Sequence, residues 1–242
     1  MPDPVSILGV KVSAVDFEGA AGKAMEFLNS DEPKIIVTPN SEMILAASRD
    51  EEFCRVLNSA DMVVPDGIGV VYAAKLVGRP LSERVAGFDL VCELLSRIAG
   101  TEHTVYFLGA KPTVAEKAAE KCRECYPGIR IVGTHDGYFK NDDEVIAEIN
   151  ALSPALLVVC LGFPRQEKWM IKNRERLNIK LAIGAGGTLD VLAGNSTRAP
   201  EFYQKHGIEW LYRLKKEPSR IIRMTALPRF ALKVIFKGRK YK

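Results

Sequence analysis

The sequence predicts an α/β fold, an open and mainly parallel sheet flanked by helices, with a basic amphipathic helical appendage at its C-terminal end. Three observations support this prediction. Apolar runs of strand length recur, helix-like segments separate them, and the last part of the chain combines bulky apolar residues with a strong excess of positive charge. Short apolar runs without polar alternation are typical of strands buried on both faces, and strand–helix alternation is typical of parallel, Rossmann-like sheets.

Six apolar runs are predicted to be the strands of the sheet. In chain order they are KIIVT, DMVVP, TVYFLG, IRIVGT, ALLVVCLG and KLAIGAGG. Helices are predicted between them, as in PTVAEKAAEKCRECY and NDDEVIAEINAL, where the acidic NDDE suits the first turn of a helix. We therefore expect residues 1–195 to form a Rossmann-like catalytic domain and residues 196–242 to form the helical appendage.

The composition disfavours several classes of protein. The 242 residues are 47% hydrophobic and 26% charged, which is typical of a globular protein with a substantial core. The five cysteines are odd in number and irregularly spaced, and the CxxC at Cys122 and Cys125 reads as part of a helix, so neither a disulfide framework nor a zinc site is predicted. No signal peptide or membrane-spanning run is evident, and we expect an intracellular, reducing location.

Ligands of an open parallel sheet bind at the carboxyl ends of its strands, where loops lead into helices. The segments that follow the predicted strands carry hydroxyl, amide, carboxylate and guanidinium groups together with glycines. The candidate residues in these segments are Thr38, Asn40, Asp66, Gly109, Arg165, Gln166, Gly186 and Gly187. Arg84, in the polar loop SERVAGFDL before a predicted helix, is a further candidate.

The glycine-rich turns have two interpretations. GAGGTLDVLAG contains Gly184 and Gly186, but Gly187 follows at once and Asp190 stands where a dinucleotide fingerprint has its third glycine, so no hydride cofactor is predicted. The glycines either let a nucleotide or another anion approach the main chain, or they form a tight turn between a strand and a helix. The same two interpretations apply to Gly109 in FLGAKP.

Asp66, in VVPDGIGVVYAAKL, also has two interpretations. Aspartate is a favoured helix N-cap, and the segment after it could be helical. Beside hydroxyl, amide and guanidinium groups, however, a carboxylate suits the deprotonation of an alcohol while an anion leaves. No serine-hydrolase or zinc-protease motif and no Asp-x-Asp pair is present, so no metal site is predicted and cationic side chains would have to hold a diphosphate.

The C-terminal segment supplies such cations. Residues 213–242 contain eleven Lys or Arg and one acid, a net charge of +10 in a chain of +4, so residues 1–212 carry −6. This asymmetry indicates an anionic partner. Interleaved apolar residues favour an anionic membrane surface, with a helix packed on its own domain as the alternative; no nucleic-acid motif accompanies the charge, so nucleic acid is not the expected partner.

Four cations of this segment are spaced for one face of a helix. They are Arg213, Lys216, Arg220 and Arg223. Pro218 lies among them and is expected to begin a new helix, which could interrupt that face.

Eight motifs, taken together and in this order, resemble the WecG/TagA/CpsF family, glycosyltransferase family 26, over nearly the whole chain. They are TPNSEM, PDGIGVV, ERVAGFDL, YFLGAKP, GFPRQEKW, GAGGTLDVLAG, RAPEF and GIEWLYRL. Each motif alone is weak, and their number and order make the resemblance specific.

The resemblance implies an inverting, metal-independent glycosyltransferase that needs no cofactor. It implies transfer of N-acetylmannosamine from a UDP-sugar donor to the 4-hydroxyl of undecaprenyl-diphosphate-linked GlcNAc, in synthesis of the wall teichoic acid linkage unit. Asp66 would be the base. The residues lining the pocket would be Thr38, Asn40, Arg84 and Gln166, and those reaching the donor's diphosphate would be Arg213, Arg220 and Arg223.

In the family the appendage is implicated in membrane attachment and in closing the site. The resemblance therefore implies peripheral association with the inner face of the plasma membrane, and it implies that the chain can form a homodimer. Three alternatives stay open at this point: a related transferase that uses another UDP-sugar such as UDP-ManNAcA, a nucleotide-dependent oxidoreductase on a similar sheet, and a non-catalytic sensor of a UDP-sugar.

Overall fold

The computed structural model describes residues 2–200, 202–203, 209–216 and 225–237. Its strands are β1 (Val5–Ile7), β2 (Val10–Val12), β3 (Lys34–Val37), β4 (Met62–Val63), β5 (Thr104–Gly109), β6 (Arg130–His135), β7 (Leu156–Cys160) and β8 (Leu181–Gly184). Its helices are α1 (Phe17–Leu28), α2 (Ser41–Ala47), α3 (Glu51–Asn58), α4 (Ile68–Leu76), α5 (Gly87–Ile98), α6 (Val114–Cys125), α7 (Asp142–Leu152), α8 (Arg165–Asn173), α9 (Thr188–Leu192), α10 (Glu209–Lys216) and α11 (Ala226–Lys237). A 3-10 turn, Arg174–Arg176, follows α8.

The main sheet contains β4, β3, β8, β7, β5 and β6 in that order, and every pair of neighbours is parallel. These strands are the six apolar runs, so the predicted α/β fold with a parallel, Rossmann-like sheet is confirmed. The register also aligns the strand ends. Val63 pairs with Val37, Val37 with Gly184, and Gly184 with Val159, so the loops after four neighbouring strands leave the sheet at one level.

Helices cover both faces of the sheet. The first face is packed by α2, α3, α4, α7 and α8, and the second face by α1, α5, α6 and α9. Helices α2 and α9 follow the neighbouring strands β3 and β8 but lie on opposite faces. The loops after β3 and β8 therefore diverge, and such a switch point is where open α/β sheets form their binding crevice.

Two further features concern the predicted elements. The N-terminal strands β1 and β2 form an antiparallel hairpin that packs against α3 and α4, and the sequence did not predict it because its two three-residue strands are too short to show alternation. Cys122 and Cys125 lie in α6, as the helical interpretation of the CxxC predicted, and both are free thiols.

The last described helix is docked on the body of the protein. Helix α11 packs against α2 and α4, and its Phe230 and Val234 are buried in the core of the first face. The Lys233 ammonium donates to the carbonyl and the hydroxyl of Ser48, at 2.9 and 2.8 Å. This part of the appendage therefore shares the core of residues 1–195. None of the described helices combines the length and the apolar character required to cross a bilayer.

The structure describes only some of the four cations predicted to share a helix face in the appendage. Arg213 and Lys216 lie in α10, where the structure describes their backbone but not their side chains. Pro218, Arg220 and Arg223 lie outside the described residues, so the single helix face stays a prediction.

Candidate active site

The candidate residues occupy the carboxyl edge of the sheet, where the strand ends are level. Asp66 follows β4, Thr38 and Asn40 follow β3, Gly186 follows β8, and Gln166 follows β7. Neighbouring strands are about 4.8 Å apart, so these four loops span about 14 Å. The structure therefore places the residues that were singled out in four sequence segments along one short edge.

Asp66 lies at the surface of this edge. The residue is half-buried, and its backbone N–H donates to the Val64 carbonyl at 3.0 Å, which tightens the turn after β4. The N-cap residue of α4 is Gly67, at φ +101°, so Asp66 precedes the cap. The interpretation of Asp66 as the N-cap of this helix is therefore wrong. Its contact with a substrate stays a prediction.

Close packing of two helix starts brings Asn40 beside Asp66. Asn40 is the N-cap of α2, and its Oδ1 accepts from the N–H groups of Glu42 and Met43. A Cβ atom at Gly67 would lie 3.8 Å from the Asn40 Cβ, and one at Gly69 would overlap the Ser41 hydroxyl at 2.3 Å. The start of α4 can approach the start of α2 because position 69 is a glycine, whereas the contact at position 67 is an ordinary van der Waals distance.

Thr38 joins β3 to β8 at the switch point. Its buried hydroxyl donates to the Gly184 carbonyl at 2.7 Å, and a Cβ atom at Gly87 would lie 3.0 Å from the same hydroxyl. A hydroxyl has one donor, and here the Gly184 carbonyl takes it. Towards a ligand, the Thr38 oxygen can therefore act as an acceptor.

Arg84 is held next to the Asp66 loop and is paired with the appendage. The N–H of Val85 donates to the Pro65 carbonyl at 3.0 Å, so the segments carrying Arg84 and Asp66 run side by side. The Arg84 Nη1 lies 3.0 Å from the Glu209 Oε2 in α10, and the two side chains are only 19% and 14% exposed. This pair could not be predicted from local sequence patterns because its members are 125 residues apart.

Gln166 connects the β7 loop to the turn after β8. Its Oε1 accepts from the N–H of Gly186 at 3.2 Å, and its Nε2 donates to the Oε1 of Glu167 at 2.7 Å. Glu167 is 0% exposed, and its burial raises the pKa of the carboxyl group to about 7. Sequence reasoning missed Glu167 because an acid in the first turn of a helix is usually a solvated partner of the helix dipole.

Arg165 and Gly109 lie towards the other end of the edge. The Arg165 guanidinium donates to the carbonyls of Gly137 and Phe139, at 2.6 and 3.4 Å, and lies over the Phe139 ring. Gly109 has φ +132°, and a Cβ atom there would lie 2.3 Å from the Cys160 carbonyl oxygen. Both residues thus have packing reasons to be present, and their contacts with a substrate stay a prediction.

The turn after β8 is open. Cβ atoms at Gly186 and Gly187 would meet nothing within 4 Å among the described residues. The space over this turn adjoins Thr38 and Gln166, so a ligand could lie against its main chain. Within the described part of the chain, no three His, Cys, Asp or Glu side chains are grouped as a metal site would require. The metal-independent mechanism stays a prediction.

A crevice at the switch point of a parallel sheet, with an acidic residue at its edge, is typical of an enzyme that acts on a ligand bound at the carboxyl ends of the strands. The chain belongs to the glycosyl transferase WecG/TagA/CpsF family, whose sequence profile matches residues 5–242. The resemblance noted from the eight motifs is therefore confirmed.

Relatives with a described activity cover most of the chain. It is 39% identical over 209 residues to the N-acetylglucosaminyldiphosphoundecaprenol N-acetyl-beta-D-mannosaminyltransferase of Bacillus spizizenii, an alignment that covers 86% of this chain and 81% of the relative. It is 37% identical over 201 residues to the protein of the same name from Bacillus subtilis, covering 83% and 78%. A Staphylococcus aureus protein of that name is 36% identical over 209 residues, covering 86% and 82%.

Proposed function

We propose that this protein transfers N-acetylmannosamine from a UDP-sugar donor to the 4-hydroxyl of undecaprenyl-diphosphate-linked GlcNAc. The names of the relatives describe a mannosaminyl transfer to such a lipid-linked acceptor. The observation that carries the proposal for this chain is the position of Asp66, half-buried at the crevice with Asn40 and Arg84 beside it.

In the proposed reaction Asp66 is the general base. The acceptor hydroxyl oxygen attacks the anomeric carbon of the donor, the bond from that carbon to the diphosphate oxygen breaks, and UDP leaves with the bonding electrons. The proton of the hydroxyl passes to the Asp66 carboxylate. Attack opposite to the leaving group inverts the anomeric carbon, and general-base assistance contributes about 10² to 10⁴ in rate.

Positive charge from two parts of the chain would stabilise the departing UDP. Arg84 lies next to the Asp66 loop. A guanidinium carries five N–H donors, so Arg84 can bind a phosphate oxygen while it stays paired with Glu209. Arg213 follows Glu209 by four positions in α10, and positions four apart share a helix face. We propose that Arg213, together with Arg220 and Arg223, joins Arg84 at the diphosphate.

The donor would occupy the open turn after β8. Gly186 and Gly187 leave room for a nucleotide against the main chain, and Thr38 and Gln166 border that room. The acceptor would then approach from the side of α4, where Asp66 lies. This arrangement puts the base and the leaving group on opposite sides of the transferred sugar.

Helices α4 and α11 would face the membrane that holds the acceptor. Helix α4 starts next to Asp66 and exposes Tyr72 and Leu76, and the neighbouring α11 exposes Leu232, Ile235 and Phe236, which is 78% exposed. Exposed cations flank these apolar side chains on the same two helices: Lys75, Arg229 and Lys237. Apolar and basic groups together fit a bilayer surface with anionic lipids. Formation of a homodimer stays a prediction.

The proposal is tested by UDP release in the presence of lipid-linked GlcNAc and anionic vesicles, with a panel of UDP-sugars. UDP-ManNAc should support release, and UDP-ManNAcA should support much less. Asp66→Asn should lower kcat by about 10³ while UDP affinity stays unchanged, because the amide keeps the shape and loses the basicity.

The matched control is Asp50→Asn. Asp50 caps α3 by accepting from the N–H of Phe53, a task that Asn performs equally well, so this variant should keep full activity. Near-normal turnover by Asp66→Asn would remove Asp66 from the base role. A wild-type protein that binds UDP-sugar without releasing UDP would be a sensor, and one that binds NAD in a thermal-shift assay in place of UDP would be an oxidoreductase.

A further inference from the structure

The carboxyl group of Glu167 is buried without full compensation. The residue is 0% exposed, and one oxygen, Oε1, accepts from the Gln166 amide. The other oxygen, Oε2, has no hydrogen-bond partner among the residues that the structure describes. A buried polar atom without a partner lowers stability, and such atoms are rare in native proteins. Because this carboxyl oxygen lowers the stability of the fold, we look for a role of Glu167 other than stabilising it.

The hydrogen bond that Glu167 accepts from Gln166 leads to the part of the site proposed for the UDP-sugar donor. The Gln166 amide has two ends, and Glu167 can accept only from the Nε2 end. The Oε1 end of the amide therefore faces the N–H of Gly186. Without Glu167 the amide could rotate by 180°, and its NH2 group would then face the Gly186 N–H, donor against donor.

The same amide packs against the main chain at Gly184. A Cβ atom at Gly184 would lie 3.1 Å from the Gln166 Nε2 and 2.8 Å from the Met170 Cε. The Gly184 carbonyl in turn accepts from Thr38. One chain of contacts thus runs from Glu167 through Gln166 and the turn after β8 to Thr38, and it crosses the crevice between β3 and β8.

We propose that Glu167 is a positioning residue for the donor nucleotide-sugar, which fixes the orientation of the Gln166 amide and through it the main chain of the turn at residues 184–187. Glu167 does not touch the substrate, since its side chain is fully enclosed. The inference rests on the proposed transfer reaction for its substrate, and on hydrogen bonds within the protein for its mechanism.

The kinetic test compares Glu167→Met, which keeps the length of the side chain and removes both oxygens, with Glu167→Gln, which keeps an acceptor for the Gln166 amide. Glu167→Met should raise the KM for the UDP-sugar about tenfold, leave the KM for the lipid acceptor unchanged and keep the Tm at or above that of the wild type. Glu167→Gln should have a donor KM close to that of the wild type. Gln166→Ala should raise the donor KM at least as much as Glu167→Met, and adding Glu167→Met to Gln166→Ala should raise it no further.

Other results overturn the proposal. A folded Glu167→Met protein with an unchanged donor KM, or a double variant whose effects multiply, would show that Glu167 does not act through Gln166. A donor KM for Glu167→Gln as high as that of Glu167→Met would show that the acceptor oxygen is irrelevant. If the methionine variant does not fold, Glu167→Leu provides the second removal of the carboxyl group.

A second readout does not depend on the reaction. Hydrogen exchange of the Gly186 N–H, followed by NMR, should be at least tenfold faster in Glu167→Met than in the wild type, because the Gln166 acceptor is no longer held against it. Equal exchange in the two proteins would overturn the positioning role even if transfer is confirmed. Faster exchange in a protein that proves to transfer no sugar would uphold the positioning role and reject only the proposed function.

Discussion

At the β5 end of the sheet's carboxyl edge, Gly109 lies so close to the neighbouring strand that a Cβ atom would overlap the Cys160 carbonyl oxygen at 2.3 Å. At the β8 end, a Cβ atom on Gly187 would meet nothing within 4 Å in the described part of the chain. Both glycines follow an apolar strand and precede a helix. A glycine at a strand end can therefore permit close packing or leave room for a ligand, and its neighbours across the sheet decide which of the two applies.

The polar residues at the two ends divide in the same way. At the β5 end, Arg165 donates to two backbone carbonyls and covers an aromatic ring. At the β4 and β3 end, Asp66 is half-buried beside Asn40, at the start of two helices that pack closely. We therefore expect the chemistry of the proposed reaction between β4 and β8, while the described contacts of Arg165 and Gly109 are packing contacts within the protein.

Of the substitutions that test the difference between these two glycines, Gly109→Ala is expected to have the largest effect. The substitution forces a side chain into φ +132° and into contact with the Cys160 backbone, which cannot move without disturbing β7. We expect a loss of about 4 kcal/mol in the free energy of unfolding, and a Tm lower by roughly 10 °C. The kcat of the folded fraction should stay unchanged. A stable variant with a raised donor KM would move Gly109 into the binding site.

The second effect concerns Glu167, which lies between the two ends. Burial raises the pKa of its carboxyl group from 4.5 to about 7. As the pH rises from about 4.5 to about 7, the unfolded state releases this proton first, so the free energy of unfolding should fall by up to about 3 kcal/mol and then stay constant. Glu167→Gln has no proton to release. Urea unfolding at pH 5 and pH 8 should therefore favour the variant by about 2.5 kcal/mol more at pH 8.

Groups that titrate equally in both proteins cancel in this difference. An identical pH dependence for wild type and variant would show that the carboxyl group of Glu167 ionises as easily in the folded protein as in water. The cost of burying it would then be absent, and with it one reason to assign it a function.

The strands and the edge were predictable from the sequence because they depend on local patterns. Most strands of the main sheet contain a continuous apolar run, as β7 does, and the rule that ligands bind at carboxyl ends of parallel strands needs only the strand assignments. The pairing of Arg84 with Glu209, the burial of Glu167 and the distinction between Gly109 and Gly187 depend on residues brought together by folding. Local patterns carry no information on such contacts.

The smallest effect, and the one that tests the other half of the comparison, is expected for Gly187→Ala. Gly187 has φ −86°, which alanine adopts without strain, and the added methyl group meets no atom of the described residues within 4 Å. Stability should therefore be unchanged, while the donor KM rises about tenfold because the methyl group occupies the space proposed for the nucleotide. The measurement is donor KM from UDP release together with Tm.

Gly22→Ala is the matched control for Gly187→Ala. Gly22 lies in the interior of α1 and outside the loops at the carboxyl edge of the sheet. A Cβ atom there also meets no atom of the described residues within 4 Å. Alanine in a helix interior stabilises by about 0.5 to 1 kcal/mol relative to glycine, so this variant should gain slightly in Tm and keep wild-type kinetics. If Gly187→Ala behaves like Gly22→Ala in the kinetic assay, the donor does not lie against the turn after β8, and the two ends of the edge differ in packing alone.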